Sequence, residues 1–125
     1  MDKVVHFELP AENMERAKKF YSSVFGWSIS TNDPQYFLVS TTKTTGQGMP
    51  LEPGAINGGI MKKTEKAQTP MIVIEVPSID SYLKKIEKAG GKLVRPKVNI
   101  HDMLYYARIA DSEGNIVGIV ENIKH

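Results

Sequence analysis

One short segment near the start of the sequence combines an imidazole and a carboxylate in a strand-like pattern. In VVHFEL, His6 and Glu8 alternate with Phe7 and Leu9, so the two polar side chains share one side of a strand. Such a histidine can bind a metal, act as a general base near neutral pH or hydrogen-bond a substrate. It can equally be a structural histidine satisfied by a backbone carbonyl. His6 and Glu8 are therefore the first candidates for a ligand site.

A second segment, MIVIEVP, repeats the pattern of VVHFELP and contains Glu75. Aligning Glu8 with Glu75 gives an internal offset of 75 − 8 = 67 and predicts that the two carboxylates occupy matching places in two halves. If they approach each other, the pKa of one rises and an acid–base pair results. The alternative is that each accepts hydrogen bonds or meets a cation such as Arg108.

Methionine and tyrosine side chains complete the candidate set. Tyr105 and Tyr106 are adjacent on one predicted strand, so only one of them can face a cavity, and we assign Tyr105 to it. Methionines are flexible enough to line an adaptable pocket, although core packing is the alternative for these apolar and aromatic residues. The predicted ligand-binding residues are His6, Glu8, Met61, Met71, Glu75 and Tyr105.

The elements that must position these residues occur twice in the same order. A strand, a helix and three strands are predicted over VVHFEL, 13–25, WSIS, QYFLVST and INGGIMKK, with an irregular surface loop at 42–55. The order repeats with MIVIEV, a helix from near Ser78 to the glycines at 90–91, KLVR, a Pro96-containing connection, MLYYARIA and NIVGIVEN. The pattern predicts an α+β domain of two βαβββ modules, about 1–63 and 70–125, joined by a polar connector at 64–69. Their curved mixed sheets are expected to form a cleft or open barrel.

Length, charge and cysteine content exclude several classes of protein. The 125 residues suffice for one domain, and 16 basic against 14 acidic residues leave a net charge of +2, too small to indicate a nucleic-acid partner. The chain has no cysteine, so disulfides and thiolate metal sites are excluded. It has no apolar run of membrane-spanning length and no secretory signal, which predicts a cytoplasmic protein with no membrane partner.

Four segments resemble one known superfamily in their order and spacing: HFELPAENMERAKKFYSSVFGW, GGIMKK, GGKLVRPK and DSEGNIVGIVE. From Val4 to about Glu121 the sequence resembles the glyoxalase, bleomycin-resistance and extradiol-dioxygenase superfamily, the vicinal oxygen chelate proteins. The resemblance implies the glyoxalase-like fold of paired βαβββ modules and a homodimer. It also implies a small-molecule ligand, often with a divalent metal, in the sheet concavity.

The resemblance also implies four metal-ligand positions, on the first and last strand of each module. They fall at His6, Gly59, Met71 and Gly118. Only the imidazole is a usual ligand, because glycine offers no donor and a thioether favours softer ions. The sequence therefore predicts a small-molecule binding protein without the metal cofactor.

Two alternatives remain open at the level of sequence. One is a metal-dependent lyase, isomerase or dioxygenase with a relocated site built from His6, Glu8, Glu75 and a tyrosine, acting on a vicinal diol, ketone or thioester. The other is sequestration of a drug or toxin, as in bleomycin-resistance relatives. The sequence does not decide whether any reaction is catalysed.

Overall fold

The computed structural model describes residues 1–65 and 68–124, so the predicted connector at 64–69 lies partly outside the described residues. Eight strands and two helices are formed in this range. In chain order they are β1 (Val4–Ala11), α1 (Met14–Phe25), β2 (Ser28–Asp33), β3 (Tyr36–Ser40), β4 (Asn57–Lys62), β5 (Met71–Glu75), α2 (Ile79–Lys88), β6 (Lys92–Ile100), β7 (Leu104–Ala110) and β8 (Ile116–Asn122).

The chain forms two compact units, residues 6–70 and residues 1–5 with 71–125. The strand order is β2-β3-β4-β1 in the first unit and β5-β8-β7-β6 in the second. In each unit the first strand runs parallel to the last, and the remaining neighbours are antiparallel. The prediction of an α+β fold with two βαβββ modules is confirmed.

In the first unit, helix α1 covers one face of the sheet. Asn13 caps its start by accepting a hydrogen bond from the Arg16 N–H at 2.9 Å, and Gly26 ends it in a left-handed conformation with φ of 73°. Met14 packs into a buried cluster with residues of the sheet, among them Phe37 and Ile60. The other face of this sheet carries no helix of the unit. We call it the helix-free face.

Alternation along the strands decides which side chains lie on the helix-free face of the first unit. Phe7 and Leu9 pack against the cluster beneath α1, as the sequence pattern predicts. The intervening residues of β1 therefore point the other way. Through the registers of β1, β3 and β4, the helix-free face contains His6, Glu8, Tyr36, Leu38, Asn57, Gly59 and Met61.

The second unit repeats this arrangement with helix α2. Ser78 caps the helix by accepting a hydrogen bond from the Ser81 N–H at 3.3 Å, and Glu121 Oε1 accepts the Ile79 N–H at 2.8 Å. Ile79 is fully buried against Ala107 of β7 and its neighbours. Residues 1–5 join this unit, since the Glu75 N–H donates to the Lys3 carbonyl at 3.0 Å.

Strand β6 differs from the sequence prediction. KLVR followed by a Pro96-containing connection was expected, but Lys92–Ile100 is a single strand that includes the proline. Its pairing with β7 shifts register between Leu93 and Arg95 and again between Arg95 and Val98. β6 is last in the strand order of its unit, and a proline is tolerated at such an edge or at a bulge because the missing N–H breaks no ladder.

The helices are short, with 12 residues in α1 and 10 in α2. Among residues 1–65 and 68–124, no helix is long and apolar enough to cross a membrane.

Candidate functional site

His6 forms a side-chain hydrogen bond on the helix-free face of the first unit. Its Nε2 lies 2.7 Å from the hydroxyl oxygen of Tyr36, and the two rings are nearly parallel, with an interplanar angle of 8°. Both side chains are half-buried. Neutral imidazole has one donor and one acceptor nitrogen, so either partner can hold the shared proton. The pair therefore combines an imidazole and a phenol in one hydrogen-bonded group.

The electrostatic environment of His6 favours the neutral ring. Burial lowers the pKa of His6 below its usual value, and the nearby carboxylate of Glu8 opposes this shift with a smaller effect. The imidazole is accordingly uncharged at pH 7. A neutral ring can accept a proton from a bound molecule, which a protonated ring cannot.

The lowered pKa predicts that stability falls on acidification. The unfolded chain takes up a proton at His6 once the pH drops below about 6.5, whereas the folded chain resists until its lower pKa is reached. The free energy of unfolding should decline through this interval, and His6→Gln should remove that part of the decline. Urea unfolding measured from pH 7.5 to pH 4.5 tests this. His101→Gln, at an exposed turn, is the control; equal slopes for wild type and His6→Gln would contradict the prediction.

Glu8 lies on the same face as His6, as the alternation of VVHFEL predicts, and Met61 also lies on this face. Glu8 is 4% exposed, and Gly59 is its Cα partner across β1 and β4. Met61 is 7% exposed and is the Cα partner of Tyr36 across β3 and β4. The structure thus places both predicted residues of this unit on the face that carries the imidazole. Their role in binding a ligand stays a prediction.

Tyr36 is the residue of this site that sequence reasoning missed. Its ring lies directly over Gly59, where a Cβ atom would overlap the Cζ, Oη and Cε1 atoms of the ring. The alternation of QYFLVST contained the signal. Phe37 and Val39 are the apolar, buried residues of β3, so Tyr36 and Leu38 had to lie on the face that carries His6.

In the second unit, Met71 and Glu75 lie on the corresponding face of β5. Met71 is buried, and Glu75 accepts a hydrogen bond from the Asn122 side-chain amide. The register of β5 with β8 pairs Val73 with Gly118 and Glu75 with Val120.

This register corrects the predicted equivalence of Glu8 and Glu75. In the first unit Glu8 pairs with Gly59, whereas in the second Val73 pairs with Gly118. Glu8 therefore matches Val73, an offset of 73 − 8 = 65, and Glu75 matches Pro10. The offset of 67 came from the similarity of the tripeptides ELP and EVP. The structural equivalence is instead set by the strand pairing with Gly59 in the first unit and with Gly118 in the second. Whether Glu8 and Glu75 approach each other stays a prediction.

The assignment of Tyr105 to the cavity side is wrong. Tyr105 packs against the cluster beneath α2, and the Lys97 ammonium lies 4.6 Å from its ring centroid. Tyr106 takes the opposite face. A Cβ built on Gly118 would lie 3.1 Å from both Cε2 and Oη of Tyr106, and Arg108 Nε donates to that hydroxyl at 2.8 Å. The sequence contained a signal for this, because the apolar Ala107 and Ile109 alternate with Tyr105, whereas Arg108 alternates with Tyr106.

The family metal positions do not fit a divalent ion in this chain. They contain one imidazole, one thioether and two glycines, and each glycine lies beneath a tyrosine ring. Among residues 1–65 and 68–124, no three His, Cys, Asp or Glu side chains gather closely enough to hold an ion. Tetrahedral or octahedral ions in proteins generally need three or more such ligands. We therefore derive no chemistry that passes through a metal.

Comparison with known proteins agrees with this architecture. A family model described as Glyoxalase/Bleomycin resistance protein/Dioxygenase superfamily matches residues 3–119. A protein named "Putative glyoxylase CFP32" in Mycobacterium bovis and Mycobacterium tuberculosis is 28% identical over 127 residues, covering 94% of this chain. The chain spans only 45% of the length of that relative. The chain belongs to the glyoxalase/bleomycin resistance protein/dioxygenase superfamily.

Solved structures share the fold at low identity. A superfamily member from Vibrio splendidus 12B01 gives a TM-score of 0.67 at 11% identity, covering 98% of this chain and 100% of that chain. Methylmalonyl-CoA epimerase from Mycobacterium tuberculosis gives 0.65 at 15% identity, covering 97% and 88%. These similarities confirm the predicted glyoxalase-like fold.

Proposed function

We propose that this chain binds a small molecule on the helix-free face of its first unit and does so without the family's metal ion. The observation that carries the proposal is the hydrogen-bonded pair of His6 and Tyr36, half-buried above Gly59. Half-buried polar groups of this kind interact more strongly with a ligand than fully hydrated groups do. The proposal includes the homodimer that the family resemblance implies and the cytoplasmic location that the sequence predicts.

The pair favours a ligand that carries an oxygen atom. The shared proton can reside on the phenol or on the imidazole, so the pair can adapt to an oxygen that accepts or one that donates. Carbonyl, hydroxyl and thioester oxygens all meet this requirement. The epimerase relative acts, by its name, on a coenzyme A thioester, which makes a thioester one reasonable probe.

Apolar side chains beside the pair favour a ligand with a hydrocarbon part. Leu38 is 58% exposed on the same face, and Met61 is the Cα partner of Tyr36 across β3 and β4. Methionine adapts to irregular shapes, and exposed leucine loses unfavourable contact with water when it is covered. Small pockets in proteins commonly join an apolar wall to a few polar groups.

The proposal is tested by thermal shift against four probes: catechol, the glutathione hemithioacetal of methylglyoxal, methylmalonyl-CoA and bleomycin. We expect at least one probe to raise the melting temperature of metal-free wild-type protein. Tyr36→Phe keeps the ring over Gly59 but removes the hydroxyl, and should weaken binding of that probe about tenfold, the effect of one hydrogen bond. Tyr105→Phe, on the helix side, is the matched control and should bind as wild type does.

The outcomes separate the rival functions. Binding without chemical change of the probe favours a binding or sequestration protein, and a changed probe identifies an enzyme. No shift with any probe counts against the proposal. Stoichiometric uptake of nickel, zinc, manganese or ferrous ion that disappears in His6→Ala would instead support the metal-dependent alternative.

A further inference from the structure

Tyr36 occupies the place in which the family's second metal ligand would stand. Position 59 lies on the last strand of the first unit, on the same face as His6, and its Cα partners are Glu8 and Leu38. We infer that Tyr36 is the residue that keeps this unit free of metal: its ring fills the volume of a side chain at position 59, and its hydroxyl engages the imidazole nitrogen. This inference shares with the proposed function the premise that the unit binds no metal, and it does not depend on the binding of a small molecule.

The first part of the argument is steric. A Cβ atom at position 59 would overlap three atoms of the Tyr36 ring, although a ligand side chain must extend well beyond Cβ to reach an ion. Any non-glycine residue here must displace the ring. Gly59 and Tyr36 are therefore a matched pair, in which the tyrosine is accommodated because position 59 has no side chain.

The second part concerns the nitrogen of His6. A metal ion needs the unprotonated lone pair of an imidazole nitrogen. His6 Nε2 is 2.7 Å from the Tyr36 hydroxyl, so this nitrogen either accepts the phenol proton or carries its own. In both cases Nε2 can bind an ion only after this hydrogen bond is broken. Tyr36 thus acts on two of the family's ligand positions, on position 59 by filling its volume and on His6 by hydrogen bonding.

The second unit also has a tyrosine ring over a glycine, but the tyrosine hydroxyl has a different partner. Tyr106 pairs with Val120, two residues beyond Gly118, as Tyr36 pairs with Met61, two residues beyond Gly59. Its ring also lies over the glycine, and its hydroxyl is held by Arg108. Arg108 is the Cα partner of Gly118, and its guanidinium lies 5.5 Å from the centroid of that ring. The same arrangement in both units argues against coincidence.

The inference predicts that two substitutions create a metal-binding site in the first unit. Tyr36→Ala combined with Gly59→His frees Nε2 of His6 and adds a second imidazole on the adjacent strand. His6 is paired with Asn57, so position 59 lies two residues further along the adjacent strand. Strands about 4.8 Å apart with a rise of about 3.3 Å per residue place the two Cα atoms about 8 Å apart, within reach of two histidines that share an ion. Titration of tag-free protein with nickel chloride, followed by calorimetry, should show binding at least tenfold tighter than that of wild type. Adding His6→Gln to the double variant should abolish the gain.

Nickel binding by the double variant no tighter than by wild type would overturn the inference, as would a gain that persists in the presence of His6→Gln. These readouts use no organic ligand, so they fail or succeed independently of small-molecule binding.

A stability cycle tests the steric part separately. Gly59→Ala in wild type should lower the urea midpoint by roughly 1 M, because the methyl group overlaps the ring. In Tyr36→Ala the same change should shift the midpoint little, since the ring is absent. Gly58→Ala is the matched control: its Cβ would meet Phe7 Cδ2 at 2.5 Å on the opposite face, so Tyr36→Ala must not relieve its cost. Equal losses from Gly59→Ala in both backgrounds would refute the steric argument.

Discussion

Replacing Ile60 by alanine is expected to lower the free energy of unfolding by about 2–5 kcal/mol. Ile60 is fully buried on β4, between Gly59 and Met61, and belongs to the cluster beneath α1. Removing three carbons leaves a cavity that the helix and sheet fill only partly. Equilibrium unfolding in urea, monitored by the single tryptophan, measures the loss.

Leu38→Ala is the matched control for this prediction. Leu38 lies on the neighbouring strand, on the opposite face, and is 58% exposed. Its truncation should change the free energy of unfolding by less than about 0.5 kcal/mol, as is usual at exposed positions. A similar loss at both positions would contradict the assignment of the buried face, and with it the position of His6.

The second large effect is expected at Gly91, where α2 meets β6. A Cβ atom there would lie 2.6 Å from the carbonyl oxygen of Ala110 and 2.7 Å from Cγ2 of Ile86. The backbone oxygen cannot rotate away as a side chain can. Gly91→Ala should therefore lower the free energy of unfolding by about 1–3 kcal/mol, the usual cost of overpacking.

Gly46→Ala provides the comparison for Gly91→Ala. Nothing lies within 4 Å of a Cβ at Gly46, in the irregular segment between β3 and β4. The change should be nearly neutral or slightly stabilising, because alanine restricts the unfolded chain more than glycine does. If Gly91→Ala and Gly46→Ala changed the free energy of unfolding in urea equally little, the close packing around Gly91 between α2 and β6 would be contradicted.

The strand-level features that were predicted well are those with a strong contrast between the two faces. In VVHFEL the apolar and polar residues alternate cleanly, so the face of His6 and Glu8 followed from the letters alone. Ser78 and the glycines at 90–91 likewise marked the bounds of α2. Local patterns of this kind reflect local physics, in which burial or capping selects the residue type.

The features that were missed depend on contacts between distant segments. Tyr105 and Tyr106 are chemically identical neighbours, and the packing of Tyr105 against the cluster beneath α2 shows which of them lies on the helix side. The match between Glu8 and Val73 depends on strand register, which the similar letters around Glu8 and Glu75 obscured. Pro96 suggested a break, but its position on an edge strand of the unit removes the penalty.

The ring of Tyr36 over Gly59 links two positions 59 − 36 = 23 residues apart in the chain. A larger residue introduced at position 59 alone would clash with the ring, and loss of the tyrosine alone would leave a gap above a bare glycine. The effect of a substitution at either position is therefore expected to depend on the residue at the other, although the two lie on different strands.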